Sequence, residues 1–308
     1  MPGAVWCNER VNRLELPVLG AAQVAALLPD APARVAWLGA GSDHRAFALG
    51  EDRVVRLPRW PGGGEALRQE ARLLAWLTPR LPGAAMPEVV RLGAASPLAP
   101  EGFSVARRVP GRSALGATLP DPATLGGGLG RWLADLHALN PQGSGLTADL
   151  DPSGRDWRDA ALDDLAVAAG AGVLPGADAW AARVRAVPDL RRVVPVTIHG
   201  DFAAEHVHLD GSGRLAGVLD WADAALGDPA RDLAGLIHWG NAALLAAARA
   251  AYGPSCGAVW ERAAWYALCR TLGDLAFAVG EGSPAYLGSG RRALDGLREW
   301  WTNAPAPP

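Results

Sequence analysis

Residues 199–221, HGDFAAEHVHLDGSGRLAGVLDW, hold many side chains that can transfer protons or bind metal ions. The stretch contains three histidines, three aspartates and one glutamate. Aspartates that orient a nucleophile and bind Mg²⁺ would make it a phosphoryl-transfer site. A zinc site would instead use His206 and His208, on one strand face, together with an aspartate. The third possibility is a hairpin without chemistry, so the order and spacing of these residues must decide.

Strand and turn signals predict how this stretch folds. The apolar run VPVTI (194–198) is typical of a buried strand, and it ends at His199. EHVHL and RLAGVLD are strand-like and are joined by the turn sequence DGSG, which predicts a hairpin. In that hairpin His206 lies roughly opposite Val218, and Asp201, His206 and Asp220 gather at the open end.

The order of these residues fits phosphoryl transfer. Protein kinases place a catalytic Asp first, a metal-binding Asn five residues later, and a second metal-binding Asp further along. Here Asp201 is followed five residues later by His206 and then by Asp220. Such a set can neutralise the charge on the γ-phosphoryl group while the nucleophile is held in line.

Four elements in this order resemble the aminoglycoside phosphotransferase and choline kinase-like small-molecule kinases. They are the HGD loop, His206, the VLDW that ends the hairpin, and GDPARDLA at 227–234. Most of that family has Asn where this chain has His206, but macrolide 2′-phosphotransferases and aminoglycoside 2″-phosphotransferases carry His. VVRLPRWP and EARLLAWL are similar to the macrolide branch. The resemblance extends over about residues 35–235.

This resemblance implies an α+β fold of the bilobal protein-kinase-like type. A small antiparallel-sheet N-terminal lobe (1–106) would bind the nucleotide, and a larger, mainly helical C-terminal lobe (107–308) would carry the catalytic loop and the acceptor site. Hydrophobic periodicity agrees with this division. It predicts strands within 34–59 and at GFSVARRV, then helices ending near Asn140 and near 241–252, 257–280 and 288–301.

Roles for the motif residues also follow from the resemblance. Asp201 would be the catalytic base or the carboxylate that orients the hydroxyl, and Asp220 would bind Mg²⁺. His206 would bind the metal or a metal-bound water, although Mg²⁺ prefers oxygen ligands. Because protonation opposes metal binding, we expect activity to fall below about pH 6.5 more steeply than in relatives that carry Asn. His199, Asp228 and Asp232 would be structural, with Asp232 accepting backbone hydrogen bonds from the catalytic loop.

The chain has no lysine, so the nucleotide phosphates need another cation. Arg56, in VVRL, can take the place of the kinase lysine and pair with Glu70 on the following helix. Arg59 is the other candidate. The alternative for the pair is an edge-strand arginine beside a solvated glutamate.

Two further segments are candidate nucleotide contacts. LGAGSDH (38–44) departs from G-x-G-x-x-G, but between two predicted strands it fits a loop that covers phosphates, with Gly39, Gly41 and Ser42 as contacts. FSVA (103–106) is predicted to present backbone groups of Ser104 and Ala106 to the nucleobase. The donor would be GTP or ATP.

Composition limits the partners. The chain has 29 basic and 32 acidic residues, a net charge of −3, which does not suggest nucleic acid or a membrane surface. Cys7, Cys256 and Cys269 form no CxxC pair, and neither a signal-peptide layout nor a membrane-length apolar run is present. We therefore expect a cytoplasmic protein, and a monomer.

The acceptor is expected to be a small molecule bound by the C-terminal lobe. Residues 107–308 carry 18 arginines and 22 acidic residues, a mild excess that suits a macrolide with one amine better than a polycation. Asp223 and Trp239 are candidate contacts, although Asp223 could equally be a solvated loop residue and Trp239 a core residue. The favoured function is macrolide 2′-phosphorylation, which inactivates the antibiotic and gives resistance. Aminoglycoside and choline- or homoserine-type kinases, a metallohydrolase and a pseudokinase-like binding protein remain alternatives.

Overall fold

The computed structural model describes residues 14–29, 34–254 and 257–303. Within them the chain forms two compact units. One contains the described residues up to Pro110 together with Gln142–Gly145, and the other contains Gly111–Pro141 and the chain from Leu146 onward. Two of the three cysteines, Cys7 and Cys256, lie outside the described residues, and Cys269 is a buried free thiol.

The N-terminal unit is built on a five-stranded antiparallel sheet with the strand order β1-β2-β3-β5-β4. Its elements are α1 (Ala21–Ala26), β1 (Val35–Ala40), β2 (His44–Leu49), β3 (Arg53–Pro58), α2 (Gly63–Leu77), β4 (Val89–Gly93) and β5 (Phe103–Arg107). Strand β2 buries every second residue, including Phe47 and Leu49, as expected for one face on a core. Sequence periodicity predicted β1, β2, β3, β5 and α2. It missed α1 and the largely exposed β4.

The C-terminal unit contains most of the helices. Its elements are β6 (Arg112–Ser113), α3 (Pro122–His137), β7 (Ala148–Asp149), α4 (Arg155–Gly170), α5 (Ala177–Arg185), β8 (Val196–Ile198), β9 (Val207–Leu209), β10 (Leu215–Val218), β11 (Ala225–Gly227), α6 (Ala230–His238), α7 (Ala242–Tyr252), α8 (Gly257–Glu281) and α9 (Pro284–Asn303). The strands form two small sheets, ordered β10-β9-β6 and β7-β11-β8. The predictions of α3, α7, α8 and α9 are confirmed, whereas α4, α5 and α6 were not predicted.

Close helix packing positions the residues beneath the HGD and VLDW segments. Glycines 126 and 130 of α3 lie against α7, where an added Cβ would come within 2.1 Å of Leu244 O and 2.2 Å of Ala248 O. Only glycine permits this approach. On α3 the buried Trp132 contacts Phe202 and Trp221, with ring centroids 5.9 Å apart in both cases. These contacts fix the ends of the HGD and VLDW segments to the helical core.

The hairpin β9–β10 forms as predicted, but its register differs by one residue. Val218 pairs with Val207, and the backbone N–H of Leu219 donates to His206 O at 2.8 Å. The expected pairing of His206 with Val218 is therefore wrong, because the register shifts between Leu215 and Gly217. The antiparallel-sheet N-terminal unit and the helical C-terminal unit confirm the α+β, kinase-like fold class. Of the helices in the described part of the chain, none combines the length and apolarity needed to span a bilayer.

Candidate active site

A buried carboxylate holds the HGD loop. Asp232, in the first turn of α6, accepts a hydrogen bond from His199 N through Oδ2 at 2.8 Å and one from Gly200 N through Oδ1 at 2.9 Å. His137 Nε2 lies 3.1 Å from Asp232 Oδ2. Burial alone would raise the pKa of Asp232, but the contacts with His137 and the backbone amide lower it below its usual value. The carboxylate therefore stays ionised and fixes the loop at two consecutive amides.

Gly200 must be glycine for two independent reasons. Its φ is +86°, in the left-handed region that side chains disfavour. An added Cβ would also lie 2.1 Å from Asp223 O. The loop can therefore turn sharply between His199 and Asp201 only because no side chain is present.

His199 connects this loop to the end of the hairpin. Its Nε2 donates to Leu219 O at 2.8 Å, which leaves Nδ1 to accept from the backbone N–H of Asp201 at 3.3 Å. Burial lowers the pKa of the ring below its usual value, so the imidazole is neutral, and it packs on Trp221 at a centroid distance of 4.6 Å. His199 thus fixes the backbone on both sides of the candidate reaction centre.

Asp201 is buried and held through both carboxylate oxygens. Arg270 donates to Oδ1 at 2.5 Å, and His206 Nε2 lies 3.1 Å from Oδ2. Burial would raise the pKa of Asp201, but the charges of Arg270 and His206 keep it well below its usual value. A carboxylate held in this way is a weak base. It is better suited to orienting a hydroxyl than to removing its proton early in the reaction.

His206 faces Asp201 in this structure. Burial alone would lower the pKa of His206, but the hydrogen bond to Asp201 and the charges of Asp201, Asp220 and Glu205 raise it to about 9. A protonated imidazole has no lone pair to offer a metal ion. Metal binding at His206 would therefore have to displace a proton at any pH below about 9, a wider range than the sequence suggested.

Asp220 is the carboxylate that the sequence predicts to bind Mg²⁺. It follows β10 with a φ of +61°, and no other non-glycine residue in the described ranges has a positive φ. Aspartate tolerates this conformation, and such strain is typical of functional positions. One or two carboxylates, completed by nucleotide phosphates and water, are enough for Mg²⁺. The residues present therefore fit this cofactor through oxygen donors.

A zinc site would require more ligands. Across residues 14–29, 34–254 and 257–303, no group of three or more His, Cys, Asp or Glu side chains could hold a metal ion. Catalytic zinc usually has three protein ligands. His208 lies on β9 opposite Gly217 and Ser113, and His206 Nε2 is taken by Asp201. The geometry gives the metallohydrolase alternative no support.

Sequence reasoning missed Arg270 and Glu205. Arg270 lies on α8, 69 residues after Asp201, and also donates to Glu205 Oε1 at 2.9 Å. One signal could have revealed it. Arg270 interrupts the apolar stretch AAWYALCRTLG, and a charge in such a helix requires a buried partner.

In the N-terminal unit the structure brings Arg56 and Glu70 together. Arg56 Nη1 lies 2.8 and 2.6 Å from the two carboxylate oxygens of Glu70, and Arg56 Nη2 lies 3.1 Å from His44 Nδ1. The Glu70 side chain is only 3% exposed, within the buried face of α2. The alternative of a solvated glutamate is therefore not what the structure shows.

The turn after β1 is tied down by its neighbours. Arg59 donates to Gly41 O at 2.5 Å and to Glu15 Oε1 at 2.9 Å, and Trp60 Nε1 donates to Ser42 O at 2.8 Å. Gly39 lies in β1, and no atom lies within 4 Å of the position of an added Cβ. Arg59 thus shapes the turn, which leaves Arg56 as the better candidate for a nucleotide contact.

Ser104 and Ala106 lie in β5, which has a partner strand on each side. Ser104 pairs with Arg56 on β3 and with Leu92 on β4, and Ala106 is likewise paired on both sides. The ladders therefore use backbone groups of these residues, which reduces what they can offer a nucleobase.

The C-terminal unit contains a cavity of about 430 Å³. Its aromatic walls are Trp157 and Tyr266. Its lining also includes five aspartates and one arginine: Asp149, Asp151, Asp156, Asp223, Asp228 and Arg231. The cavity adjoins the HGD loop, because Arg231 donates to Asp149 at 2.5 Å and to Gly200 O at 3.3 Å. Its strongly acidic lining favours a cationic ligand.

Of the two predicted acceptor contacts, only one lines this cavity. Asp223 is exposed and belongs to the lining, whereas Trp239 is 8% exposed at the end of α6 and does not. Asp228 also serves the packing, since it accepts two hydrogen bonds from Arg262, at 2.7 and 2.8 Å, and one from Ala230 N at 3.0 Å.

Known structures resemble this chain along most of its length. The GDP complex of wild-type aminoglycoside 2′-phosphotransferase-IIIa aligns with a TM-score of 0.66 at 19% identity, covering 90% of this chain and 97% of that one. Macrolide 2′-phosphotransferase MphH from Brachybacterium faecium, an apoenzyme, aligns with a TM-score of 0.60 at 24% identity, covering 94% and 100%. At these identities the likeness establishes the fold.

Sequence comparison identifies the family. The uncharacterized protein YcbJ of Bacillus subtilis (strain 168) is 49% identical over 65 residues, so the alignment spans only 21% of this chain and 21% of that relative. The sequence pattern of the phosphotransferase enzyme family matches residues 35–266, well over half of the chain. The resemblance noted from the motifs is confirmed, and so is the prediction of a phosphotransferase. The chain belongs to the phosphotransferase enzyme family.

Proposed function

We propose that this protein transfers the γ-phosphoryl group of GTP or ATP to a hydroxyl of an amine-bearing small molecule, in the manner of an antibiotic kinase. The observation that carries the proposal is the position of Asp201. It is ionised and held at both oxygens, in a loop that adjoins an acidic cavity of about 430 Å³. The volume and the mixture of aromatic and charged walls suit a small organic cation.

In the proposed reaction the acceptor hydroxyl donates a hydrogen bond to Asp201, which directs its oxygen at the γ-phosphorus. A bond forms between that oxygen and phosphorus while the bond to the β-phosphate oxygen breaks. The hydroxyl proton passes to Asp201 late in the step, and the nucleoside diphosphate leaves. Asp220 would hold Mg²⁺, which neutralises phosphate charge when bound, and Arg56 would donate to the nucleotide phosphates.

Two acceptor classes are candidates. VVRLPRWP favours a macrolide 2′-hydroxyl, whereas His206 fits both classes, and the aromatic walls Trp157 and Tyr266 suit the apolar face of a macrolide. The cavity itself favours an aminoglycoside, because its lining has five aspartates and one arginine. Even with Asp228 paired to Arg262, negative charges are concentrated there, which the mild acidity of the whole lobe did not suggest. The structure thus gives the aminoglycoside alternative more support than the sequence did.

The test is phosphoryl transfer by the purified protein with Mg²⁺. GTP and ATP are supplied in parallel with a macrolide, several aminoglycosides and choline, and each acceptor is analysed by mass spectrometry. We expect an acceptor-dependent product carrying one added phosphoryl group, absent with Asp201→Asn. No product with any acceptor, or full activity of Asp201→Asn, would contradict the proposal.

Matched variants separate the two acceptor classes. In Asp151→Asn and Asp156→Asn one negative charge of the lining is removed at a time. A polycationic acceptor should lose about 10-fold in kcat/KM for each, since a charge contact of about 1.4 kcal/mol is a factor of ten. For a macrolide with one amine, at most one of the two variants should lower kcat/KM. Asp178→Asn, on α5 and outside the lining, is the control.

A further inference from the structure

Arg270 joins two acidic side chains through the two terminal nitrogens of its guanidinium group. Nη1 donates to Asp201 Oδ1 at 2.5 Å and Nη2 donates to Glu205 Oε1 at 2.9 Å. The three side chains are 15%, 10% and 13% exposed, so the cluster is largely removed from water. A planar guanidinium donates to two carboxylates from two nitrogens in a fixed geometry, whereas an ammonium group is a single point of charge on a flexible stem.

The charges around Arg270 make each carboxylate depend on it. Asp274, one turn further along α8, adds a third negative charge near the guanidinium, and these charges raise the pKa of Arg270. Glu205 Oε2 is buried and has no hydrogen-bond partner among the described residues. Without the guanidinium, Asp201 and Glu205 would face each other as like charges in a poorly solvated space.

We propose that Arg270 is a positioning residue for phosphoryl transfer: it fixes the orientation of Asp201, and its bond to Glu205 serves stability. With Oδ1 held by Arg270 and Oδ2 by His206, the carboxylate plane cannot rotate freely, so the acceptor hydroxyl meets a fixed lone pair. The inference rests on the proposed function of Asp201. It adds a residue from α8, which belongs to none of the sequence motifs.

A purely structural role is the competing explanation, in which Arg270 only neutralises Glu205. Two variants separate the explanations. Arg270→Met removes the guanidinium and leaves both carboxylates without it. Arg270→Met combined with Glu205→Gln removes the buried charge of Glu205 as well. If neutralising Glu205 were the whole role, the double variant would recover both stability and kcat.

We expect the double variant to recover stability without recovering catalysis. Arg270→Met should lower kcat about 100-fold, the loss expected from an ångström-scale misplacement of a reacting group, with nucleotide KM nearly unchanged. Adding Glu205→Gln should raise the urea midpoint of unfolding but leave kcat low. Arg270→Lys should give an intermediate kcat, because a single ammonium nitrogen keeps the charge but cannot occupy the positions of both Nη1 and Nη2. Glu205→Gln alone should keep most of the wild-type kcat.

Two controls complete the experiment. Leu275→Ala, in the same helix and fully buried, loses packing but no charge, and it should lower the urea midpoint with little change in kcat. A double-mutant cycle between Asp201→Asn and Arg270→Met, followed by urea unfolding, measures the coupling of the two side chains without requiring activity.

The outcomes are distinguishable. No transfer by the wild-type protein overturns the proposed function and, with it, the catalytic role of Arg270. Transfer by the wild type, with wild-type kcat in Arg270→Met, overturns only the inference. Recovery of kcat in the double variant, or a coupling of zero in the cycle, also overturns it. Low kcat in the double variant with clear coupling supports it.

Discussion

Replacing Asp232 by asparagine changes the support of the HGD loop by a single atom and one charge. The carboxylate accepts hydrogen bonds from the consecutive amides of His199 and Gly200 and lies 3.1 Å from His137 Nε2. Asparagine keeps one acceptor oxygen and places an NH₂ group where the second oxygen was. One backbone N–H then faces another donor in a site that is 0% exposed.

The magnitude follows from these contacts. Losing one charge-assisted hydrogen bond costs about 1.5–3 kcal/mol, and a buried N–H without a partner costs roughly 1–3 kcal/mol more. We therefore expect Asp232→Asn to lower the free energy of unfolding by roughly 2.5–6 kcal/mol. Because His199 and Gly200 immediately precede Asp201, the loop should also shift enough to lower kcat by about 100-fold.

Urea unfolding and steady-state kinetics measure the two effects. The matched control is Asp210→Asn, because Asp210 Oδ1 also accepts three hydrogen bonds, from Ser212 N, Ser212 Oγ and Arg214 N, but in an exposed turn. The control should lose no more than about 1 kcal/mol and keep its activity. If Asp232→Asn behaved like Asp210→Asn in both assays, the argument that this carboxylate holds the catalytic loop would be refuted.

Three further predictions address other parts of the site. Gly200→Ala should lower kcat by about 100-fold, because the new Cβ meets Asp223 O and φ is positive; wild-type kcat would refute the close approach. Arg56→Met should raise nucleotide KM about 10-fold, and Arg56→Lys less, whereas equal KM values in both variants would exclude a phosphate contact. The pKa of His206 is raised to about 9. The free energy of unfolding of the wild-type protein should therefore exceed that of His206→Asn by its full amount below about pH 6.5, and this difference should decline as the pH rises through about 9. Urea unfolding at a series of pH values measures this, and a pH-independent difference would contradict the ion pair with Asp201.

The HGD loop was largely predictable because the sequence signals that specify it lie close to it in the chain. His199, Gly200 and Asp201 follow a buried strand directly, and the DGSG turn specifies the hairpin that carries Asp220. The one-residue error in the register came from the irregularity between Leu215 and Gly217, which no alternation of side chains reveals.

The supports of the loop were less predictable because they come from distant parts of the chain. Arg270 reaches Asp201 from α8, and His137 reaches Asp232 from α3 across 95 residues. The local sequence does not indicate which buried charged side chains will contact each other. The Arg56–Glu70 pair was easier, since its members are 14 residues apart in a strand followed by a helix.

The acidic cavity shows the same limit. Its aspartates come from separate segments, just before α4, in the first turn of α4 and after the hairpin, and the lobe as a whole is only mildly acidic. A count of charges along the chain averages over these segments and therefore missed their convergence. Trp239 was a reasonable candidate for an aromatic wall, but Trp157 and Tyr266 line the cavity instead. Residue type alone does not distinguish a side chain that lines a cavity from one that lies in the hydrophobic core.

The mass of the acceptor after incubation with GTP or ATP and Mg²⁺ tests the proposed phosphoryl transfer directly. We expect one added phosphoryl group on an amine-bearing antibiotic with the wild-type protein, and none with Asp201→Asn, although this variant should still bind the nucleotide. An unmodified acceptor in every wild-type reaction, or the same product from both proteins, would contradict the proposal.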